Sequence, residues 1–548
     1  MSKRARAGAA GLAAVLCAAA VAATAGTAGA SGASGASPAA KASAGRDGWG
    51  RLIPGNLLVS ESYYRNDPGI VAGQTQLPPG CTAGNCVTAT ANGSYPQVFN
   101  NALADGSFGV TSQIFLAQMT PWGLPLGTIE VPGRELVSSF SSKSELALNL
   151  SPDGRTVSFM GYVAKPDTAD VSNSNTPGVI DPTNPDPGAY YRAVAQLTGD
   201  GKFQFTETNA YSGNNGRAAI TAEAGGKELI YAAGNAGNGS TPQPTGVILG
   251  AGAQLITPSD QPEAAQHPGI PTPVGSFSVT QLGDKADKIG KDDNFRGLTI
   301  YHNVLYYTKG SGGNGVNTVY FVDTTGRACP DGVGLPAAGA QLPTSALSYH
   351  LSTLQADGLP SNMCILKGFN TTLAKTSTNS FPFGMWFANA DTLYVADEGN
   401  GTNTYAGGQY TAAAAQSTAG LQKWVFNGTQ WTLAYTLTSG LDLGQPYPVR
   451  GYPTGENAAT GLPWAPATDG LRNLTGQLNR NGTATIWAIT STVSGSGDQG
   501  ADPNKLAEIT DPLHATAPAS WESFRTVRAA RFAEVLRGVS FTPGTRTR

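Results

Sequence analysis

From about Gly55 onward the chain alternates short β-branched and aromatic runs with clusters of Gly, Asn, Asp and Pro, and no stretch sustains a long helical period. This pattern predicts an all-β fold. One unit recurs: a short strand, a turn, a second strand that ends in a Gly/Asn-rich loop, then two further strands. The clearest copies begin Leu146-Ala-Leu-Asn-Leu-Ser-Pro-Asp-Gly-Arg-Thr-Val-Ser-Phe-Met and Arg296-Gly-Leu-Thr-Ile-Tyr-His-Asn-Val-Leu-Tyr-Tyr-Thr, each a hairpin around a polar turn. Others open near Arg217, Phe383 and Arg472, which makes five complete units. A sixth opening strand, Arg537-Gly-Val-Ser-Phe-Thr-Pro, has nothing after it to continue the unit. Gly55-Asn-Leu-Leu-Val-Ser-Glu-Ser-Tyr, Gln113-Ile-Phe-Leu-Ala-Gln-Met and Gly127-Thr-Ile-Glu-Val supply its missing partners from the other end of the chain. The expectation is a single β-propeller of six blades, closed by one C-terminal and three N-terminal strands, which removes the unpaired sheet edges. Seven blades stay open if the stretch from Gly246 to Gly283 holds an extra sheet.

Two segments add a resemblance. Phe383-Gly-Met-Trp-Phe-Ala-Asn-Ala-Asp-Thr-Leu-Tyr-Val-Ala-Asp-Glu-Gly-Asn, followed by Gly420-Leu-Gln-Lys-Trp, resembles an NHL-type propeller blade, and Leu150-Ser-Pro-Asp-Gly-Arg-Thr-Val-Ser-Phe resembles the hairpin of TolB-type blades. As a whole the chain resembles secreted bacterial β-propellers. The resemblance implies a fold and carries no activity.

The N-terminus changes the picture in one respect. Lys3, Arg4 and Arg6, an Ala-rich apolar stretch from Ala9 to Ala23, and Ala28-Gly29-Ala30 read as a signal peptide over 1–30, with 31–46 an Ala/Ser/Gly spacer and 47–548 the propeller. Export is therefore expected, with no membrane-spanning segment, since no later stretch approaches the apolar length that a bilayer requires. Leu16 before Cys17 argues against a lipid anchor. Cys81, Cys86, Cys329 and Cys364 remain, an even number in an oxidising compartment. Of the three possible pairings the local one, Cys81 with Cys86 and Cys329 with Cys364, is the simplest. A zinc site fits neither the spacing nor the four histidines of the chain.

Only 13% of residues are charged and the net charge is −3, which supplies no basic surface for nucleic acid. Candidate chemistry sits at the blade entrances. The residues before each innermost strand are Glu145, Arg217, Arg296, Phe383, Arg472 and Arg537, and several guanidinium groups around one funnel suit a carboxylate, sulfate or phosphate. The same arginines could instead lock blades together by pairing with Asp292, Asp293 and Asp469. Those three aspartates and Glu145 are the candidate catalytic acids or bases. The loops after the second strands carry Asp397, Glu398, Asp498 and Asp502 among Gly and Asn, oxygen ligands of the kind calcium prefers, although turn formation alone also accounts for them.

No Gly-x-Ser-x-Gly elbow, His-Glu-x-x-His helix or phosphate-binding glycine loop stands in a fitting context, and His267, His302, His350 and His514 are scattered. Three functions follow: a monomeric binding module that takes an anionic small molecule or oligomer at an Arg-lined funnel (ligand-binding residues Arg217, Arg296, Arg472, Arg537 and Phe383), an extracellular hydrolase or lyase with calcium as its candidate cofactor, or a cell-envelope platform for a polymer or protein.

Overall fold

The computed structural model describes residues 51–64, 71, 74–77, 87–88, 111–138, 146–166, 168, 190–208, 210–211, 215–235, 252–259, 295–313, 315–347, 362–374, 376, 380–496 and 499–546. Glu145, Asp292, Asp293, Asp498, Cys81, Cys86, the signal-peptide region and most of residues 65–109, 165–189 and 256–275 lie outside them.

Local chemistry sets the hairpins. In Ser151-Pro-Asp-Gly-Arg the Ser151 hydroxyl accepts the amides of Arg155 and Thr156 at 3.1 and 3.0 Å, Asp153 accepts the Arg155 amide at 3.0 Å, and Gly154 takes a φ of +73°. The side chains thus close the turn that the sequence announces. The strand that follows, Thr156–Tyr162, is buried along its whole length, whereas Asn149–Leu150 before the turn is half-buried.

Six sheets form a six-blade propeller. Blade 1 joins Asn149–Leu150, Thr156–Tyr162, Arg192–Thr198 and Phe203–Thr208; blade 2 joins Gly216–Ala224, Lys227–Gly234 and Gly252–Ile256. Blade 3 contains Phe295–Tyr301, Val304–Lys309, Thr318–Val322 and Met363–Leu366, with Val333–Gly334 added in parallel outside the last. Blade 4 is Pro382–Asn389, Thr392–Asp397, Gly420–Phe426 and Trp431–Leu437; blade 5 is Ala467–Leu478, Thr483–Val493, Lys505–Pro512 and Arg525–Ala529. Blade 6 pairs Glu534–Phe541 with Leu57–Tyr63, Gln113–Met119 and Pro125–Glu130, in the order expected for a one-plus-three closure. Leu57 faces Phe541 and Val59 faces Val539 across the join. The stretch that left a seventh sheet open supplies Gly252–Ile256 to blade 2.

Apolar layers fill the spaces between successive blades. Leu58, Leu116 and Phe159 pack between blades 6 and 1, Ile220 with Tyr307 and Met385 across blades 2, 3 and 4, and Leu57 with Trp487 between blades 5 and 6. A repeated device brings the inner strands together. A side chain at Gly297 would overlap the Phe383 carbonyl of the next blade, one at Gly384 would lie 2.7 Å from the Arg472 carbonyl oxygen, and one at Gly538 would strike the Leu146 carbonyl. Glycine directly after the blade-entrance residue therefore lets each inner strand approach its neighbour. In blade 5, Asn473 stands at that place, and its Oδ1 accepts the Val539 amide of blade 6 at 2.6 Å.

Cys329 and Cys364 form a disulfide that ties the blade 3 loop to Met363–Leu366. Among the described residues no helix is long and apolar enough to cross a membrane.

Candidate functional site

Arg296 and Phe383 are the second residues of the inner strands of blades 3 and 4, and Arg472 lies midway along the longer inner strand of blade 5, where its carbonyl faces Gly384. Glu398 follows the second strand of blade 4 and reaches between the two arginines: its Oε1 lies 3.4 Å from Arg296 Nη1, and its Oε2 accepts Arg472 Nε at 3.1 Å. The guanidinium carbons lie 5.6 and 6.0 Å from the centre of the Phe383 ring. Phe383 is buried beneath them, so it serves as their floor. The Arg296 guanidinium also donates to the Ser311 hydroxyl.

Above this group lies a cleft of about 410 Å³ bounded by blades 3, 4 and 5, with Arg296, Ser311, Glu398, Asp469, Arg472 and Thr492 on its walls. Asp469 stands at the entrance of the blade 5 strand. Its Oδ2 accepts the Gly401 amide at 2.8 Å and its Oδ1 accepts Gln416 Nε2 at 2.5 Å. Gly399 is required here, because it has a φ of +79° and a side chain on it would enter the Asp469 carboxylate. Burial pushes the Asp469 carboxyl up to about 7 and Glu398 adds to the rise, against the donors and Arg472. Near neutral pH it is therefore a carboxyl that can either donate or accept a proton.

Asp397 is turned inward. Its Oδ2 accepts the Phe381 amide at 2.8 Å, the Ser380 hydroxyl at 3.1 Å and Gln422 Nε2 at 3.1 Å, while Oδ1 accepts the Gly399 amide at 3.0 Å. Burial nevertheless lifts it to about 6. Asp502 accepts the hydroxyls of Tyr452 and Ser494 beneath the blade 5 loop. The described carboxylates that the sequence offers to calcium are thus engaged by donors of the fold. Among the described residues the one grouping of three ligand-type side chains is Asp323 with Cys329 and Cys364, whose sulfurs are joined to each other.

Of the residues singled out from sequence, the structure brings Arg296, Arg472, Glu398 and Asp469 to one cleft. Arg217 and Arg537 are buried elsewhere around the ring, and Arg537 donates to the Tyr64 hydroxyl. Sequence reasoning missed Lys309, Ser311 and Gln416. Lys309 is fully buried at the end of the blade 3 second strand, and its ammonium donates to the carbonyls of Ser311 and Gly312 at 2.6 and 3.1 Å and to Asn317 Oδ1 at 2.9 Å. Its signal was a single charge closing the apolar strand Val304-Leu-Tyr-Tyr-Thr-Lys.

A propeller with a cleft at its channel mouth is a framework for a binding or enzymatic module in general. No protein-family model matches the chain, and no curated protein matches it. Among solved structures, one titled "NanB plus Optactamide" aligns at 9% identity over 90% of this chain and 79% of that one, with a TM-score of 0.19, too low to carry any argument about function.

Proposed function

We propose that this chain is an exported propeller that binds a small anionic molecule, or the anionic group of an oligomer, at the cleft between blades 3, 4 and 5. The observation that supports it most is the sharing of one carboxylate, Glu398, by two guanidinium groups from different blades. The two arginines balance Glu398 and Asp469 when both carboxyls are ionised, and protonation of Asp469, whose carboxyl burial raises to about 7, leaves one positive charge in excess. A planar guanidinium that already holds one carboxylate is preorganised to hold a second across the cleft. The N-terminal basic, apolar and small-residue sequence supports export, and the Cys329–Cys364 disulfide fits an oxidising compartment.

The test is a thermal-shift series with sulfate, phosphate, citrate and an oligogalacturonate at low salt, on the wild-type chain and on Arg472→Gln. Glu398 keeps Arg296 as partner in that variant, so the fold is retained. A rise in melting temperature with at least one anion that disappears in the variant supports the reading. Equal shifts in both proteins would refute it.

A further inference from the structure

The inner strands run from the Arg/Phe entrance to the opposite end of the channel, and that second mouth is chemically unlike the first. A cleft of about 510 Å³ opens there, with contributions from all six blades, including Asn149, Ile220, Tyr301, Trp386, Thr475 and Ser540. A second cleft of about 450 Å³, between blades 3 and 4, is lined by Tyr306, Pro336, Phe426 and Trp431. The two share Tyr301, His302, Asn303 and Phe387 as a common wall, so they adjoin on either side of it. Neither cleft has an Asp, Glu, Lys or Arg among its described lining residues, in a molecule whose other mouth gathers four charged side chains.

The common wall is a stack of rings. His302 lies on Tyr301 with centroids 4.1 Å apart and planes 18° apart, and Tyr301 lies on Phe387 at 4.5 Å and 8°. Phe387 meets Trp431 edge-on at 5.8 Å, and Trp431 continues to Phe426 at 5.5 Å. The outer ring of the stack is presented by a two-residue turn in which His302 and Asn303 both have positive φ, +48° and +61°. Asn and His are among the non-glycine residues that enter this region most readily, and the turn leaves both the imidazole and the amide exposed.

From this geometry we infer that the second mouth is a binding groove for a neutral oligosaccharide. The open outer face of the His302 imidazole and the half-buried rings of Trp386 and Phe426 accept the C–H-bearing faces of a sugar, while the neutral side chains of Asn149, Thr299, Asn303, Asn389 and Thr475 match its hydroxyl groups. A charged ligand would lose its hydration there with no counter-charge in return, and a wholly apolar ligand would leave those amides and hydroxyls without water or partner. Two adjoining clefts fit an oligomer better than a single sugar. This site is independent of the anion cleft in position and in chemistry.

The experiment is isothermal titration calorimetry of the full exported chain with cellohexaose, xylohexaose, mannohexaose and maltohexaose at low and high salt. At least one of these binds, and its affinity does not change with salt. His302→Gly, which suits the positive φ and leaves the fold intact, weakens that affinity about tenfold, and Tyr301→Ala weakens it further. Absence of heat with all four oligosaccharides at millimolar concentration overturns the inference. So does binding that is unchanged in His302→Gly, or that falls as salt is raised.

Discussion

At the scale of single residues, the propeller handles buried charge in two ways. Lys423 and Asp511, both fully buried, join blades 4 and 5 through a 2.9 Å ion pair. The ammonium also donates to the Tyr435 hydroxyl at 2.9 Å and to the carbonyls of Pro512 and Ala515, while Tyr394 and Tyr435 donate to Asp511. Removing one partner leaves the other charge without compensation. Lys423→Met is expected to lower the unfolding free energy by about 3–5 kcal/mol in urea titrations, and adding Asp511→Asn restores part of it. Glu398 differs in having two cations, so loss of either arginine leaves it paired.

Titration belongs to the same scale. Burial raises Glu61 to about 7, Asp469 to about 7 and Asp397 to about 6, all above the range these groups have in an unfolded chain. Glu61 lies beside Glu534, and Arg528 bridges the two. Each raised carboxyl binds a proton more tightly in the folded state. Its contribution to stability is therefore full below the unfolded value and lost as pH rises through the folded one. The melting temperature is expected to fall between about pH 5 and about pH 8, with a shallower fall in Asp469→Asn; a calorimetric pH series checks this.

At the scale of the element, the inner strand is the informative unit. In blades 3, 4 and 6 its entrance residue is followed by a glycine that admits the neighbouring blade, and this spacing makes Arg-Gly and Phe-Gly legible in the sequence. Gly384→Ala would place a methyl group 2.7 Å from the Arg472 carbonyl oxygen and 3.0 Å from the Leu474 nitrogen, both backbone atoms. It is expected to destabilise the protein by about 1–3 kcal/mol, read from the denaturation midpoint.

The strands, their turns and the split closing blade could be anticipated because period, turn residues and an opening strand without continuation are local signals. The pairing within the site could not. Glu398 and Arg472 are 74 residues apart, and only ring geometry brings the loop of one blade over the entrance of the next. Glu398 read by itself is an oxygen ligand in a Gly/Asn turn; between two arginines it is their counter-charge. The single charge that closes the apolar strand Val304–Lys309 was the one mark of Lys309, and only the fold shows that its ammonium is fully buried and capped by Ser311, Gly312 and Asn317. The ring of aromatics at the second mouth was hidden for a related reason. His302 reads as a solvated turn residue until its imidazole is seen on Tyr301.

For the whole molecule, the closed ring places two different chemistries at the two ends of one channel. One end holds two guanidinium groups with Glu398 and an Asp469 carboxyl raised to about 7; the other holds aromatic rings with neutral amides and hydroxyls. Closure by Glu534–Phe541 against Leu57–Tyr63 fixes the six entrances relative to one another, so that Arg296 and Arg472 are held on opposite sides of Glu398 before any ligand arrives. Preorganised charge of this kind favours binding that depends on ionic strength. The most direct measurement is isothermal titration calorimetry of citrate binding at low and high salt, with the wild-type chain and with Arg472→Gln. The account predicts a saturable site that weakens as salt is raised and is lost in the variant. Citrate binding of equal strength in both proteins, or no binding at low salt, would contradict it.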